Sequence, residues 1–342
     1  MRRFHRCTRR ATLAAAVLLM PAWAGAQVVL TTSSWVPPSH SLTEAQKEWC
    51  QQLEQKVPGK VRCNALPRAV SAPGATFDSV RNGLADISFT VHGYTPGRFV
   101  TTQFAEVPFL GDSAVATSVA FQRIYARTPA IADEHKGVKV LAVFTHGPGI
   151  VFNTKRPITK MEELAGLKFR VGGGMVNELS KAMGLNVTLK PAPESYELLS
   201  TGVMDGTLFP AESVESFKID KVIKYATRFP GGLYNTSFVF MMNQAKYDKL
   251  TPDEKKAVDA ISGETAARIF GRGWDKVDTR ALALMQANGV VVTKADAKFV
   301  ADVKAKTAPL EQNWIKAAEG KGLKNPAKVM AEFRAEIAKQ EK

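Results

Sequence analysis

The sequence is poor in the groups that carry most enzyme chemistry. It has three cysteines, too few for a disulfide-dense scaffold and wrongly spaced for a four-ligand zinc site. Its five histidines form no H-E-x-x-H pair, and no G-x-S-x-G elbow occurs. No G-x-x-x-x-G-K-S/T run is present to cradle a nucleotide phosphate. Nucleic acid is not expected as a partner, because no RNP-like or finger-like pattern appears. Beyond the N-terminus, no stretch is apolar for the roughly 20 residues that crossing a bilayer requires. The run Phe238–Met242 has the length of a buried strand.

What is there is ordinary soluble-protein material, 45% hydrophobic and 23% charged over 342 residues. That length outgrows a single core and makes two lobes the default. The formal charge of +14 would by itself point to an acidic partner. Part of it is local. Residues 1–26 hold Arg2, Arg3, Arg6, Arg9 and Arg10 and no acid, then an apolar run from Ala11 to Met20, then Ala24-Gly25-Ala26. This order reads as a cleavable signal peptide, with cleavage after Ala26 and the periplasm as destination. Arg9-Arg10 resembles a twin-arginine pair, although Thr12 stands where a bulky apolar residue is usual. Loss of the five arginines takes +14 to +9, and the remaining bases are scattered among acids on helix faces. Cys7 leaves with the signal. Cys50 falls on a predicted helix and Cys63 on the next predicted strand, so a helix-to-strand disulfide is feasible; two separate buried thiols are the alternative.

Strand and helix patterns alternate along the mature chain. Val28–Leu30 reads as a strand, and Leu42, Ala45, Trp49, Leu53 and Val57 recur at helical spacing. Strands follow at about Lys60–Leu66 and Ile87–Thr90, with a short helix from about Phe77 to Gly83 between them. A long helix from about Ser113 to His135 precedes a strand at Val138–Thr145. The second half repeats the alternation, with strands at Lys168–Val171, Val187–Leu189 and Gly206–Phe209. Ser237–Asn243 is apolar and long enough to cross between lobes. After Thr251-Pro252, a helical pattern runs to about Gln286, interrupted by Gly263, Gly271 and Gly273. Phe299, Val303, Leu310 and Trp314 mark a helix near the C-terminus. The alternation predicts an α/β architecture with largely parallel sheets.

One internal echo stands out. Phe77, Val80, Gly83, Asp86 and Phe89 fall at steps of three, as do Tyr196, Leu199, Gly202, Asp205 and Leu208. The apolar residues would seat a helix on a sheet, the glycine would end it, and the aspartate would open the turn into the next strand. Two lobes built on one plan are expected.

In open α/β sheets, ligands bind beyond the carboxyl ends of strands. Arg170 stands near such an end, just before Gly172-Gly173-Gly174 and a helix start. A guanidinium there can hold a carboxylate through two parallel hydrogen bonds, with the helix N-terminus adding free N–H groups. The glycines do not make a dinucleotide fingerprint, since Asn177 occupies the third glycine position. Trp35, His92 and Tyr94 also follow strand ends and are candidate pocket residues. No nucleophile or acid–base pair is visible, so no enzyme activity, metal or cofactor is expected.

Two motifs then align with a family. Leu164-Ala165-Gly166-Leu167-Lys168-Phe169-Arg170-Val171 resembles the "GlKxRv" signature of the DctP-type solute-binding proteins of TRAP transporters. Ser195–Gly206, with Tyr196, Gly202, Asp205 and Gly206, is similar to that family's "evYxALqtGvvDG". The resemblance implies a type II-like periplasmic binding protein with two α/β lobes, crossover hinge strands and a long lobe-spanning helix. It places lobe I at 27–146 plus about 236–272, and lobe II with the C-terminal helices at about 147–235 plus 273–342. It also implies an organic acid held by Arg170, lobe closure around it, and delivery to TRAP membrane permease subunits. A monomer is expected.

Two departures narrow the ligand. Phe209 replaces the asparagine that many dicarboxylate and sugar-acid binders carry, and Ile150 stands where a second arginine often sits. Both changes remove polar partners, which favours a monocarboxylate with an apolar or aromatic body on which Phe209 would stack. Glu212, just beyond Pro210, joins the candidate ligand-binding residues. The alternatives are a dicarboxylate, a sugar acid or, from a different class, a secreted small-acid enzyme.

Overall fold

The structure, a computed structural model, describes residues 27–341. The expected signal peptide lies outside the described residues. Among the described residues, no helix is long and apolar enough to cross a membrane.

Among the described residues, eleven strands form two sheets. They are β1 (Val28–Thr32), β2 (Val61–Ala65), β3 (Ile87–Val91), β4 (Val138–Thr145), β5 (Ile150–Asn153), β6 (Lys168–Val171), β7 (Asn186–Leu189), β8 (Gly206–Phe209), β9 (Tyr225–Arg228), β10 (Ser237–Asn243) and β11 (Val291–Lys294). The first sheet has the order β2-β1-β3-β10-β4, and the second, read from its far edge, β7-β6-β8-β5-β9-β11. In each, two parallel pairs are followed by one strand antiparallel to both neighbours: β10 in the first and β5 in the second. The sheets are therefore mixed rather than largely parallel. The strands β5, β9 and β11 were not expected from the sequence patterns.

The echo has a physical basis. Asp86 accepts the Thr31 amide of β1 at 2.7 Å, and Asp205 accepts the Lys168 amide of β6 at 2.9 Å. Each carboxylate ties the start of one strand to the neighbouring parallel strand. Phe77, Val80 and Leu199 are buried as expected, but Tyr196 is 43% exposed and does not seat its helix.

Two segments between strands cross from one lobe to the other, at 146–149 from β4 to β5 and at 229–236 from β9 to β10. The two segments pair with each other: the Gly149 amide donates to the Tyr234 carbonyl at 2.8 Å, and the His146 amide donates to the Thr236 carbonyl at 3.3 Å. The strand β10 itself lies wholly within the first sheet, so the segment before it makes the crossing.

Helices cover the sheets by their apolar faces. Ser41–Lys56 buries Leu42, Ala45, Trp49 and Leu53 and starts at His40, whose Nδ1 accepts the Leu42 amide at 3.2 Å. The expected helix to His135 stops at Arg127, because Pro129 cannot continue the hydrogen-bond ladder. The pattern after Pro252 divides at Gly263, with φ +61°, into Pro252–Ala260 and a long helix Glu264–Ala287. Gly271 does not interrupt that helix: a Cβ there would lie 2.7 Å from Val115 Cα, so glycine lets Glu264–Ala287 press against Ala114–Arg127. The long helix spans both lobes, touching Ser41–Lys56 on one side and Ala211–Ser216 on the other. The last helix, Pro326–Gln340, returns to the first lobe, where Glu336 accepts from Arg123 at 3.0 Å.

Cys50 and Cys63 form a disulfide, with Cα atoms 5.9 Å apart and a sequence separation of 13. It joins the helix Ser41–Lys56 to β2. A Cys50→Ala/Cys63→Ala variant is expected to lose about 3 kcal/mol of stability, as the unfolded chain regains a closed loop's freedom. Urea denaturation measures this, and an unchanged midpoint would count against it.

Candidate functional site

The carboxyl ends of β1, β3, β6 and β8 converge on the cleft between the lobes. There the two lobes form a small cavity. This suits a small solute rather than an extended one. Four of the expected residues line it: Trp35 beyond β1, Tyr94 beyond β3, Arg170 on β6 and Phe209 on β8.

Arg170 is 1% exposed. Its Nε donates to the Lys190 carbonyl at 2.8 Å, and its Cζ lies 4.4 Å from the centre of the Phe209 ring. Its Nη2 is buried with no hydrogen-bond partner, and no acid forms an ion pair with it among the described residues. Burial pulls its pKa down, with the Tyr94 and Tyr234 phenols opposing. A guanidinium nevertheless stays charged. The remaining lining residues include no aspartate or glutamate and no second lysine or arginine. The cavity is thus a desolvated site with one formal positive charge and no counter-charge.

Two phenols accompany that charge. Tyr94 Oη accepts the Ala192 amide at 2.9 Å, which leaves its own proton to donate. Burial raises the Tyr94 pKa, with Arg170 pulling it back, so the proton stays on. Tyr234 is also pushed up by burial, and its hydroxyl has no protein partner among the described residues. Guanidinium and two phenols are all donors, which is the complement of a carboxylate with its four lone-pair positions. The rest of the wall is mainly apolar, with His40, His146, Ser213 and Thr236 as its other polar side chains. Trp35 spends its indole N–H on the Phe89 carbonyl at 2.8 Å and stands edge-on to Tyr94, with ring centres 5.6 Å apart. Phe209, besides carrying Arg170, stacks on Phe217 at 6.1 Å. Ile150 sits opposite Phe209 in the β5–β8 register and is buried in the core, so both departures from the motif fall side by side.

Two expected residues lie elsewhere. His92 is buried behind the first sheet. Its Nδ1 is 2.8 Å from Ser237 Oγ, and its Nε2 is 2.8 Å from His135 Nε2. Ser237 Oγ must donate to the Glu106 carboxylate at 2.6 Å, so it accepts from His92 Nδ1. His92 Nε2 is then an acceptor, and His135 supplies the proton between the rings. Burial keeps both imidazoles neutral, His135 down to about 4. Glu212 lies outside the wall as well. It is fully buried and accepts the Ser41 amide at 2.9 Å and the Ser216 hydroxyl at 2.7 Å. Its carboxylate ties the second lobe to the N-terminus of a first-lobe helix, so no lone pair is turned to a ligand.

The helix start after the three glycines is also taken. Glu106, from the first lobe, accepts the Met175 amide at 2.8 Å and the Ser237 amide at 3.1 Å. The N-terminus of Met175–Ala182 therefore answers to a protein carboxylate, and the anion site rests on Arg170 and the phenols. The backbones of the two lobes also touch here: a Cβ at Gly93 would lie 2.7 Å from the Gly173 carbonyl.

Sequence reading did not assign His146, Tyr234, Phe238 and Trp274 to the cavity. The first two sit on the crossing segments, where the strand pattern stops. Their signal was positional: residues between the last strand of one lobe and the first of the next must border the cleft.

The family model for "Bacterial extracellular solute-binding protein, family 7", DctP, matches residues 32–317. The chain is a DctP-family solute-binding protein. A relative, "Outer membrane transporter protein TsaT" of Comamonas testosteroni, is 30% identical over 96% of this chain and 98% of its own length. A TRAP periplasmic solute-binding protein of Bordetella bronchiseptica, solved with bound (R)-mandelate and (S)-mandelate, is 42% identical with a TM-score of 0.89. That match covers 92% of this chain and 99% of the other. A marine metagenome TRAP solute-binding protein specific for aromatic acid ligands, in complex with 3-hydroxybenzoate, is 33% identical with a TM-score of 0.87. It covers 92% of this chain and 99% of its own. The two lobes and the long helix are those of TRAP solute-binding proteins, a family of periplasmic binding proteins rather than enzymes.

Proposed function

We propose that this DctP protein captures an aromatic monocarboxylate in the periplasm and presents it to the membrane subunits of a TRAP transporter. The observation that carries the reading is the lone buried guanidinium: one cation with no acid paired to it, in a cavity walled mainly by aromatic and aliphatic side chains. A monoanion neutralises it. A second carboxylate would be buried without a counter-charge, at a cost of several kcal/mol. A polyhydroxylated acid would leave hydroxyls facing Phe209, Phe217 and Phe238, at about 1–3 kcal/mol for each unpaired group. The aromatic acids held by the Bordetella and metagenome relatives support the same reading. Export through a cleaved leader ending at Ala26 belongs to this proposal, as does action as a monomer.

A thermal-shift screen followed by calorimetry tests it. Aromatic monocarboxylates are expected to raise the melting temperature, while succinate and galacturonate are not. Stabilisation by dicarboxylates or sugar acids alone would reject the reading.

A further inference from the structure

One polar group in the cavity has no use in holding a carboxylate. His146 Nδ1 is bonded to the Gly147 carbonyl, which can only accept, so Nδ1 carries the proton and Nε2 bears a bare lone pair. Burial pushes the imidazole down to about 4, which keeps it neutral in the periplasmic range. Nε2 has no protein partner among the described residues and is not among the fully occluded atoms, and the ring lines the cavity. A carboxylate cannot satisfy it, since both are acceptors. A bare acceptor open to the cavity calls for a donor on the solute, which a hydroxyl group supplies.

The position of His146 narrows where that hydroxyl sits. Its ring centre is 5.3 Å from Tyr234, which belongs to the donor cluster around Arg170. On its other sides it meets Phe238 at 6.2 Å and Trp274 at 5.8 Å, which wall the apolar part. The ring therefore stands between the donor cluster around Arg170 and the aromatic wall.

We propose that His146 reads a hydroxyl on the carbon between carboxylate and ring, which makes an aryl 2-hydroxy acid the favoured solute of this site. This rests on the aromatic monocarboxylate reading and adds a specificity residue to it. Leaving the acceptor dry against a C–H forfeits its hydrogen bond, which is felt most where water is excluded.

The test is calorimetry with a matched pair, mandelate and phenylacetate, on the mature protein and on His146→Phe and His146→Gln. The unaltered protein is expected to bind mandelate roughly tenfold or more tighter than phenylacetate. In His146→Phe that ratio falls towards one, and in His146→Gln, whose amide oxygen restores an acceptor, part of it returns. Equal affinities in the unaltered protein, or a ratio retained by His146→Phe, would overturn the role of His146 and leave the aromatic monocarboxylate reading standing. Binding of neither acid, with a non-aromatic acid bound instead, would overturn both.

Discussion

Arg170→Ala is expected to abolish capture of the solute while the folded protein survives. The carboxylate would then be buried against two phenols and no cation, a loss of about 2–5 kcal/mol or roughly 30- to 5,000-fold in affinity. Isothermal calorimetry with the best acid from the screen reads it directly. A second variant separates function from folding. Arg170 is an unpaired buried charge in the empty protein, so Arg170→Met should raise the melting temperature of that state even as it removes binding. Affinity retained by Arg170→Ala would place the carboxylate elsewhere, and a lower melting temperature for Arg170→Met would mean that Lys190 and Phe209 already compensate the charge.

Gly93→Val is expected to weaken binding by about a hundredfold without lowering the stability of the separate lobes. Between Gly93 and the Gly173 carbonyl there is no room for even one carbon. With a valine, the lobes cannot reach the distance at which Tyr94 meets the Ala192 amide and Glu106 meets the Met175 amide. Two hydrogen bonds and the exclusion of water are lost together, on the order of 3 kcal/mol. Small-angle scattering with saturating solute should show an expanded particle relative to the unaltered protein, and calorimetry should show the weaker affinity. Unaltered affinity with the same compact profile would mean that the contact is incidental.

Much of this was legible from short-range pattern. Strand ends mark the floor of an open-sheet cleft, and Trp35, Tyr94 and Arg170 were placed by that rule, whereas Phe209 came from the family motif. The doubled aspartate was visible as spacing, and its physical basis is a carboxylate that ties neighbouring strands. What escaped was set by contacts far apart in the chain. His92 follows a strand end like Tyr94, yet its partners are Ser237 and His135, 145 and 43 residues away, which hold it behind the sheet. Glu212 and the helix start at Met175 both looked available to a ligand. Each is satisfied by a group from the opposite lobe, Ser41 and Glu106, which no local pattern reports. Gly271 in the long helix reads as a break because its cause, the backbone of Val115, is 156 positions away.

The bonds that span the cleft have a kinetic side. Tyr94 to Ala192, Glu106 to Met175 and Glu212 to Ser41 join the two lobes across the cleft, and the lobes cannot part while they hold. Escape then waits on their joint rupture, whatever the solute. Among acids of similar size, arrival should be nearly indiscriminate and residence time should do the sorting. Under competition the periplasmic pool would be ranked by dwell, with poorly matched acids exchanged many times before a well-matched one stays long enough to be handed on.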